Sequence, residues 1–301
     1  MINTNRLYDA VEKNSRYGFY ELSQKYRKQM KEFYSDEYYQ DEHALYKHTE
    51  YDELDMVQKR NYYATKLYVL EKWGGYTERS YSFLDVGAGE GYALAFFDNK
   101  EWKVAGIDFS SYGIREHNPS MLQYLYQGDF YEKIDEFVEK GVSFDFINAD
   151  YVLEHLPEPE TFFEKIKTVA HKGTVVCVTV PNDFSLMQQL AFDMGKIDDA
   201  FWVTRETSEH FSYFSIETLC ALGYEAGFNK LVALSDWPID FFLLHDGTNY
   251  IRNSSLGHDC HVACARLENA LYADSMERTV DLFIALAKAG IGREISVYFK
   301  L

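Results

Sequence analysis

The sequence predicts an α/β fold, a doubly wound and mostly parallel sheet of seven strands whose last strand is antiparallel. Short apolar runs alternate with helix-compatible segments between residues 83 and 180. This alternation is typical of parallel strands joined by helical crossovers. The run 174–180, TVVCVTV, is rich in β-branched residues and almost free of polar ones. Such a run indicates a strand that helices cover on both faces.

Each element follows from its local pattern. The predicted strands are 83–86, 104–107, 124–126, 144–148, 174–180, 230–234 and 294–301. The predicted helices are 55–72, 92–99, 112–117, 130–140, 159–171 and 215–226, with two more inside 259–289. Ser215 is a suitable N-cap for its helix, and Gly227 is a suitable end. We expect the final strand to pair antiparallel at the edge of the sheet.

Composition excludes several classes of protein. The chain has 301 residues and a formal net charge of −18, which argues against nucleic acid as a partner because phosphate neutralisation supplies most non-specific affinity. No window approaches the roughly 20 apolar residues of a membrane helix, and the polar N-terminus lacks the apolar core of a signal peptide. The four cysteines are few and unpatterned, which suggests reduced thiols. We therefore expect a cytoplasmic protein that binds neither membranes nor nucleic acids.

The stretch LDVGAGEGYALAFF carries the strongest functional signal. Gly87, Gly89 and Gly91 stand at alternate positions between an apolar run and a helix-compatible segment. Glycines allow a tight turn and a close approach of the backbone to a ligand, and the following helix N-terminus offers free N–H groups. A dinucleotide fingerprint needs a glycine at its sixth position, where this chain has Tyr92. Asp108, at the end of the second strand, suits a ribose with both hydroxyls free.

These residues resemble a known family, the class I S-adenosylmethionine-dependent methyltransferases. The glycine motif with Asp85, then Asp108, QGDF and DFINADYVLEHLPEP occur in the family's order. The segment EHFSYFSIETLCALGYEAGF is similar to one in small-molecule O-methyltransferases. The resemblance covers about residues 60–235. It implies a Rossmann-like domain that uses S-adenosylmethionine (SAM) and releases S-adenosylhomocysteine (SAH).

The resemblance also implies a cofactor site. The glycines would cradle the methionine part, Asp108 would accept hydrogen bonds from the ribose, and Asp129 would receive the adenine amino group. An N-cap role for Asp129 is the alternative, and both roles can hold together. The full predicted set is Asp85, Gly87, Gly89, Gly91, Asp108, Phe109, Asp129, Phe130 and Asp150.

Two histidines are candidate bases, because a hydroxyl acceptor must lose its proton. His210 lies in the segment similar to O-methyltransferase substrate pockets, and His155 follows the fourth predicted strand. The alternative for each is a structural histidine in a loop. Related ubiquinone-type enzymes have a metal-linked Glu-x-x-Glu-His run, but Tyr151 replaces its first position here. The segment HDCHVAC lacks a second pair of zinc ligands, so we predict no metal.

The domain organisation and the acceptor are predicted together. Residues 1–75 would form an N-terminal helical lid segment, and 76–301 a methyltransferase domain with cap-forming insertions at 182–212 and 236–290. The tyrosines of the N-terminal segment would close the cofactor site or merely pack the segment in place; they are Tyr34, Tyr38, Tyr39, Tyr46 and Tyr51.

The segment 237–253 is loosely similar to tails of methyltransferases from surface-polysaccharide gene clusters. We therefore expect O-methylation of a sugar, a sugar nucleotide or a related precursor. The alternatives are N- or C-methylation, or SAM binding without catalysis. A homodimer is compatible with the sequence.

Overall fold

A sheet of seven strands positions the candidate site. The computed structural model describes residues 11–23, 50–198 and 210–301. Within those ranges the strands are β1 (Val11–Lys13), β2 (Tyr20–Leu22), β3 (Ser82–Val86), β4 (Lys103–Asp108), β5 (Leu125–Gln127), β6 (Phe144–Asp150), β7 (Ala170–Pro181), β8 (Ser212–Tyr213), β9 (Asn229–Ser235) and β10 (Glu294–Lys300). The central sheet has the order β5-β4-β3-β6-β7-β10-β9. The predicted doubly wound sheet is confirmed.

Helices cover both faces of this sheet. The described α-helices are α1 (Glu53–Val69), α2 (Tyr92–Asp98), α3 (Tyr112–His117), α4 (Phe130–Glu139), α5 (Phe162–Lys167), α6 (Leu186–Asp193), α7 (Ile216–Glu225), α8 (Gly257–Asp274) and α9 (Met276–Lys288). Apolar side chains of α4, α5 and α7 pack on one face, and those of α2 and α9 with the end of α1 pack on the other. In the described part of the chain, no helix combines the length and apolarity needed to cross a membrane.

The position of β10 corrects one expectation. This strand runs antiparallel to both β7 and β9 and lies between them, not at the edge. The reason is its burial, because its residues from Ile295 to Phe299 are at most 7% exposed. Its reversed direction pairs Glu294 with Pro181, the last residue of β7. The first residue of β10 therefore lies at the edge where the parallel strands end.

The N-terminal segment also differs in part from the expected helical lid. Residues 11–22 form the hairpin β1–β2, and β8 extends it to a three-stranded antiparallel sheet. Phe19 and Leu22 are buried, and Gly18 makes the turn with a φ of +81°. The helix predicted over 55–72 is confirmed as α1, which a capping box at Asp52 begins. The tyrosines at 34, 38, 39 and 46 lie outside the described residues, and the lid role stays a prediction.

The predicted insertions supply further helices. The insertion 182–212 contains α6, and 236–290 contains α8 and α9. Helix α8 packs along α1, where Asn61 Nδ2 donates to Asn269 Oδ1 at 2.9 Å and His261 Nε2 lies 2.9 Å from Asp55 Oδ1. These two helices therefore stand side by side above the sheet edge at which the parallel strands end.

Candidate active site

The glycine loop between β3 and α2 is built for close approach. Gly87, Gly89 and Gly91 have φ values of +75°, +51° and +77°. These lie in the left-handed region, which side chains with a Cβ rarely adopt. A Cβ on Gly87 would stand 2.5 Å from Val152 Cγ2. The loop therefore requires glycine at this position for two independent reasons.

Asp108 ties this loop to the end of β4. Its Oδ2 accepts a hydrogen bond from the Gly89 N–H at 2.8 Å, and its Oδ1 accepts one from the Ser110 N–H at 2.9 Å. Burial raises the pKa of Asp108, and the backbone N–H donors offset part of that rise. A carboxylate fixed in this way offers its remaining lone pairs to a ligand's hydroxyl groups.

A buried polar network lies below the loop. Asn148 Nδ2 donates to Asp85 Oδ1 at 2.8 Å and to Asp150 Oδ2 at 3.0 Å. Lys66 Nζ, from α1, lies 2.9 Å from Asp150 Oδ1, and its side chain is 1% exposed. Burial alone lowers the pKa of Lys66, but Asp150, Cys177 and Tyr298 together outweigh this and leave the pKa raised. Burial raises the pKa of Asp85. One ammonium and one amide thus hold two carboxyl groups together.

A cavity of about 1270 Å³ opens over this network. Pockets for one drug-sized ligand have roughly 300–1,000 Å³, so this cavity has room for two small molecules. Its lining comes from the glycine loop, α1, α8 and the sheet edge; it includes Gln58, Tyr62, Asp85, Gly87, Gly89, Gly91, Asp108, Asp150, Tyr151, Asp236, His261, Glu268 and Glu294.

We call the end of the cavity formed by Asp236, Glu268 and Glu294 the acidic chamber. Asp236 Oδ1 accepts the backbone N–H groups of Arg293 at 2.6 Å and Glu294 at 3.1 Å. Glu268 accepts a backbone N–H at 3.1 Å and the Gln58 amide. Burial raises the pKa of Asp236 and of Glu294 to about 7, and it also raises that of Glu268. Among residues 11–23, 50–198 and 210–301, none of the three forms an ion pair.

Tyr151, which follows Asp150 in the chain, has a strained backbone conformation. Its φ is +55°, which is uncommon for a bulky residue and costs of order 1–3 kcal/mol. Its N–H donates to the Thr179 carbonyl at 2.9 Å, which anchors the backbone there. The side chain is 46% exposed and lines the cavity. Strain of this kind concentrates at functional sites.

Glu90 joins the glycine loop to the start of α1. The Tyr51 hydroxyl donates to its carboxylate at 2.8 Å, Lys59 Nζ lies 3.3 Å away, and His117 Nε2 lies 3.4 Å away. The N-terminal helix is thereby attached to the wall of the cavity.

Comparisons with known proteins identify the family. A family model described as "Methyltransferase domain" matches residues 56–233, which is more than half of the chain and spans the glycine loop, Asp108 and Asp150. The chain belongs to this methyltransferase family. It is a SAM-dependent methyltransferase, as the sequence predicted.

Similar solved structures are distant in sequence. One is a SAM-dependent methyltransferase from Archaeoglobus fulgidus, with 15% identity over 83% of this chain and 100% of that one and a TM-score of 0.45. Another is a cyclopropane-fatty-acyl-phospholipid synthase-like protein from Lactobacillus casei, with 14% identity over 82% and 93% and a TM-score of 0.46. A third is magnesium protoporphyrin IX methyltransferase from Synechocystis with bound SAH, with 11% identity over 69% and 91% and a TM-score of 0.45. No curated protein matches the sequence.

Most of the predicted SAM-binding residues line the cavity of the methyltransferase. They are Asp85, Gly87, Gly89, Gly91, Asp108 and Asp150. These residues fit SAM because the glycine loop presents backbone without side chains to the cavity, and the Asp108 carboxylate beside it can accept hydrogen bonds from ribose hydroxyls. When bound there, SAM supplies an electrophilic methyl group on a positively charged sulfur. Their individual contacts with SAM stay predictions.

The remaining three predicted cofactor residues lie elsewhere. Asp129 is the N-cap of α4, where its Oδ1 accepts the N–H groups of Tyr131 and Glu132 at 2.8 and 3.1 Å. The Phe130 ring is 4% exposed and stacks on Phe162, so it packs in the core. Phe109 follows Asp108 and is 40% exposed. None of the three lines the cavity.

The two candidate bases lie together but outside the cavity lining. The rings of His155 and His210 meet edge to face with centroids 4.9 Å apart, and His210 Nδ1 lies 3.8 Å from Asp183 Oδ2. Glu154 is fully buried beside them, which raises its pKa to about 8. In the described ranges, Glu154, His155 and His210 are the one group whose ligand atoms are close enough to share a metal ion, within 4.8 Å of one another.

Sequence reasoning missed Lys66, Asp236, Glu268 and Glu294. Each belongs to a segment that was interpreted only as a helix, a strand or a cap. The nearest signal was Glu294 itself, an acidic residue at the start of a mostly apolar strand. His261, from the segment HDCHVAC, is paired with Asp55.

Proposed function

We propose that this methyltransferase transfers the methyl group of SAM to a hydroxyl of a small polar acceptor of the sugar class. The observation that carries the proposal is the continuity of the cavity from the glycine loop into the acidic chamber. A cofactor at the loop leaves the chamber for a second molecule. Carboxylates, an amide and phenol groups around it offer the acceptors and donors that a polyhydroxylated molecule needs.

The charge of the chamber distinguishes among the sugar-type acceptors. Asp236, Glu268 and Glu294 have no ion-pair partner among the described residues, and like charges in a poorly solvated site repel. The negatively charged diphosphate of a sugar nucleotide would either meet the carboxylates of the acidic chamber, which repel it, or stay outside the cavity. We therefore favour an uncharged or cationic sugar derivative over a sugar nucleotide.

The carboxylates of the acidic chamber also favour a second candidate function, N-methylation of an amine. Carboxylates without cationic partners would attract an ammonium group and accept its proton. His210 and His155 remain our sequence-based predictions for the base in hydroxyl methylation. Their position outside the cavity lining gives that role no support, so the base has to be tested separately.

The experiment is a calorimetric titration followed by an acceptor screen. We expect SAM and SAH to bind and NAD not to bind. The saturated enzyme is then offered matched compounds that differ in one group, such as glucose, glucosamine and glucose 1-phosphate, and SAH release is measured. Turnover with hydroxyl compounds supports the first proposal, and turnover only with amines supports the second. Binding of SAM without turnover on any member would leave a SAM-binding protein and contradict both.

A further inference from the structure

Glu294 lies where the parallel strands end, and it lines the same cavity as the glycine loop. It is the first residue of β10, opposite Pro181 of β7. Its N–H donates to Asp236 Oδ1 at 3.1 Å, and its carbonyl accepts the Ser235 hydroxyl at 2.6 Å. The backbone is therefore fixed on both sides, and the side chain lines the cavity.

Its carboxylate has no assigned structural task. No side chain or backbone group in residues 11–23, 50–198 and 210–301 donates a hydrogen bond to it. Its neighbours in the chamber differ in this respect, because Asp236 and Glu268 both accept backbone N–H groups. A carboxylate that is held in a cavity without a partner is available to a ligand.

The charged and titratable groups that act on Glu294 come from two elements. Asp150 of β6 raises the pKa of Glu294 after the larger effect of burial, and Lys66 of α1 lowers it. The pKa of Tyr62 of α1 is raised by burial first, then by Asp150, and then by Glu294. Lys66 is already paired with Asp150. The ionisation of Glu294 is thus governed by burial, and the result is a pKa of about 7.

We propose that Glu294 faces the reacting centre and accepts the proton of the acceptor hydroxyl. This inference rests on the proposed function. In the step, the acceptor oxygen forms a bond to the methyl carbon while the carbon–sulfur bond breaks. The bonding pair stays on sulfur, which becomes the neutral thioether of SAH. The hydroxyl proton passes to the Glu294 carboxylate, which returns it to solvent after the products leave.

The position of Glu294 can be tested without knowing the acceptor. SAM and SAH differ by a methyl group and one positive charge at sulfur. If Glu294 faces that sulfur, its ionised form stabilises bound SAM more than bound SAH. The preference for SAM over SAH should therefore rise with pH as Glu294 ionises. For a pKa difference of about one unit between the two complexes, this rise is about fivefold between pH 6 and 8.

The experiment compares wild type with Glu294→Gln. Calorimetric dissociation constants for SAM and SAH are measured at pH 6, 7 and 8 in both proteins. Titration of the ligands themselves is shared by both proteins, so the difference between them isolates Glu294. We expect Glu294→Gln to lose the roughly fivefold rise in the preference for SAM over SAH between pH 6 and 8. The same pH dependence in both proteins, or none in either, would overturn the proposal.

Two further variants keep the result interpretable. Glu268→Gln removes a chamber carboxylate that Gln58 and Trp237 already engage, and it should retain the pH dependence. Glu294→Asp keeps the charge at a shorter reach and should retain part of it. If Glu268→Gln also lost the pH dependence of the preference for SAM, the dependence would arise from the charge of the whole chamber. That result would contradict a specific role for Glu294.

The outcomes separate this inference from the proposed function. A pH-dependent preference that vanishes in Glu294→Gln, together with no turnover on any acceptor, would keep Glu294 at the reacting centre and reject hydroxyl transfer. Turnover on hydroxyl compounds without a pH-dependent preference for SAM would support hydroxyl transfer and reject a place for Glu294 at the reacting centre. With an acceptor in hand, Glu294→Gln should lower kcat at least tenfold and remove the acid limb of the kcat profile near pH 7.

Discussion

The two ends of the cavity are built by different means. The cofactor end consists of one continuous loop and the ends of neighbouring strands, with backbone geometry set by Gly87, Gly89 and Gly91. The acidic chamber is assembled from α1 (Glu53–Val69) and from α8 and the ends of β9 and β10, all three of which come much later in the chain. The comparison teaches that the cofactor end depends on local conformation, whereas the chamber depends on the packing of distant elements.

Lys66 is buried and paired with Asp150, which lines the cavity, and removal of Lys66 should have the largest effect. Lys66→Met would leave Asp150, whose side chain is 16% exposed, without its cation, and breaking a pair of this largely buried kind costs up to about 3–5 kcal/mol. We expect the free energy of unfolding, measured in urea, to fall by that amount. Lys59→Met is the control, because its pair with Glu90 is more exposed and such pairs contribute about 0–1 kcal/mol.

A double variant sharpens this test. Asp150→Asn combined with Lys66→Met removes both charges and should recover part of the lost stability, since no uncompensated ion remains. A loss below about 1 kcal/mol in the single variant would contradict the idea that α1 is joined to the sheet through this pair.

Gly87→Ala should have the next largest effect, confined to the cofactor end. The left-handed φ of +75° and a Cβ 2.5 Å from Val152 both oppose alanine, at a cost of about 1–3 kcal/mol. We expect SAM binding to weaken at least tenfold by calorimetry. Gly141→Ala is a matched control, because Gly141 has a φ of +65° but nothing within 4 Å of an added Cβ.

Gly141→Ala separates the cost of the left-handed backbone from the cost of the clash between an added Cβ and Val152. If Gly141→Ala and Gly87→Ala lose equal stability and Gly87→Ala still binds SAM normally, the loop would be an ordinary turn. The glycine motif would then have to be explained without a ligand.

The same difference explains how far the sequence could be interpreted. The sheet, its crossovers and α1 were predictable because apolar periodicity reports local burial. Gly87 and Asp108 were predictable because each stands at the end of a strand at a recognisable spacing. Lys66, Asp150 and Glu294 come together only because β10 inserts between β7 and β9 and α1 lies over the sheet edge. The spacing of residues along the sequence does not show that these groups lie close together in the fold. The chamber was therefore not predictable. The edge placement expected for β10 was wrong because periodicity does not reveal strand order.

Asp108 tests the cofactor end through its side chain. Asp108→Ala removes the acceptor for the Gly89 N–H and for the ribose hydroxyls of the proposed cofactor contact. Hydrogen bonds to charged groups contribute about 1.5–3 kcal/mol, so we expect SAM affinity to fall about 10- to 100-fold. Asp108→Asn keeps the shape and should lose less. Unchanged SAM affinity in Asp108→Ala would reject the predicted ribose contact.

Substitution of Asp129 should show the smallest effect. It distinguishes a role as the cap of α4 from the predicted contact with adenine. Its Oδ1 caps α4, and removing a cap costs about 1 kcal/mol. Because the side chain does not line the cavity, we expect Asp129→Ala to lower stability by that amount and to change SAM affinity less than threefold. Asp129→Asn, which still caps the helix, should restore stability. If Asp129→Ala instead weakens SAM binding tenfold while leaving that of 5′-methylthioribose unchanged, the adenine contact predicted from the sequence is correct. The cofactor end would then extend past β4 to the start of α4, beyond the cavity as the structure defines it.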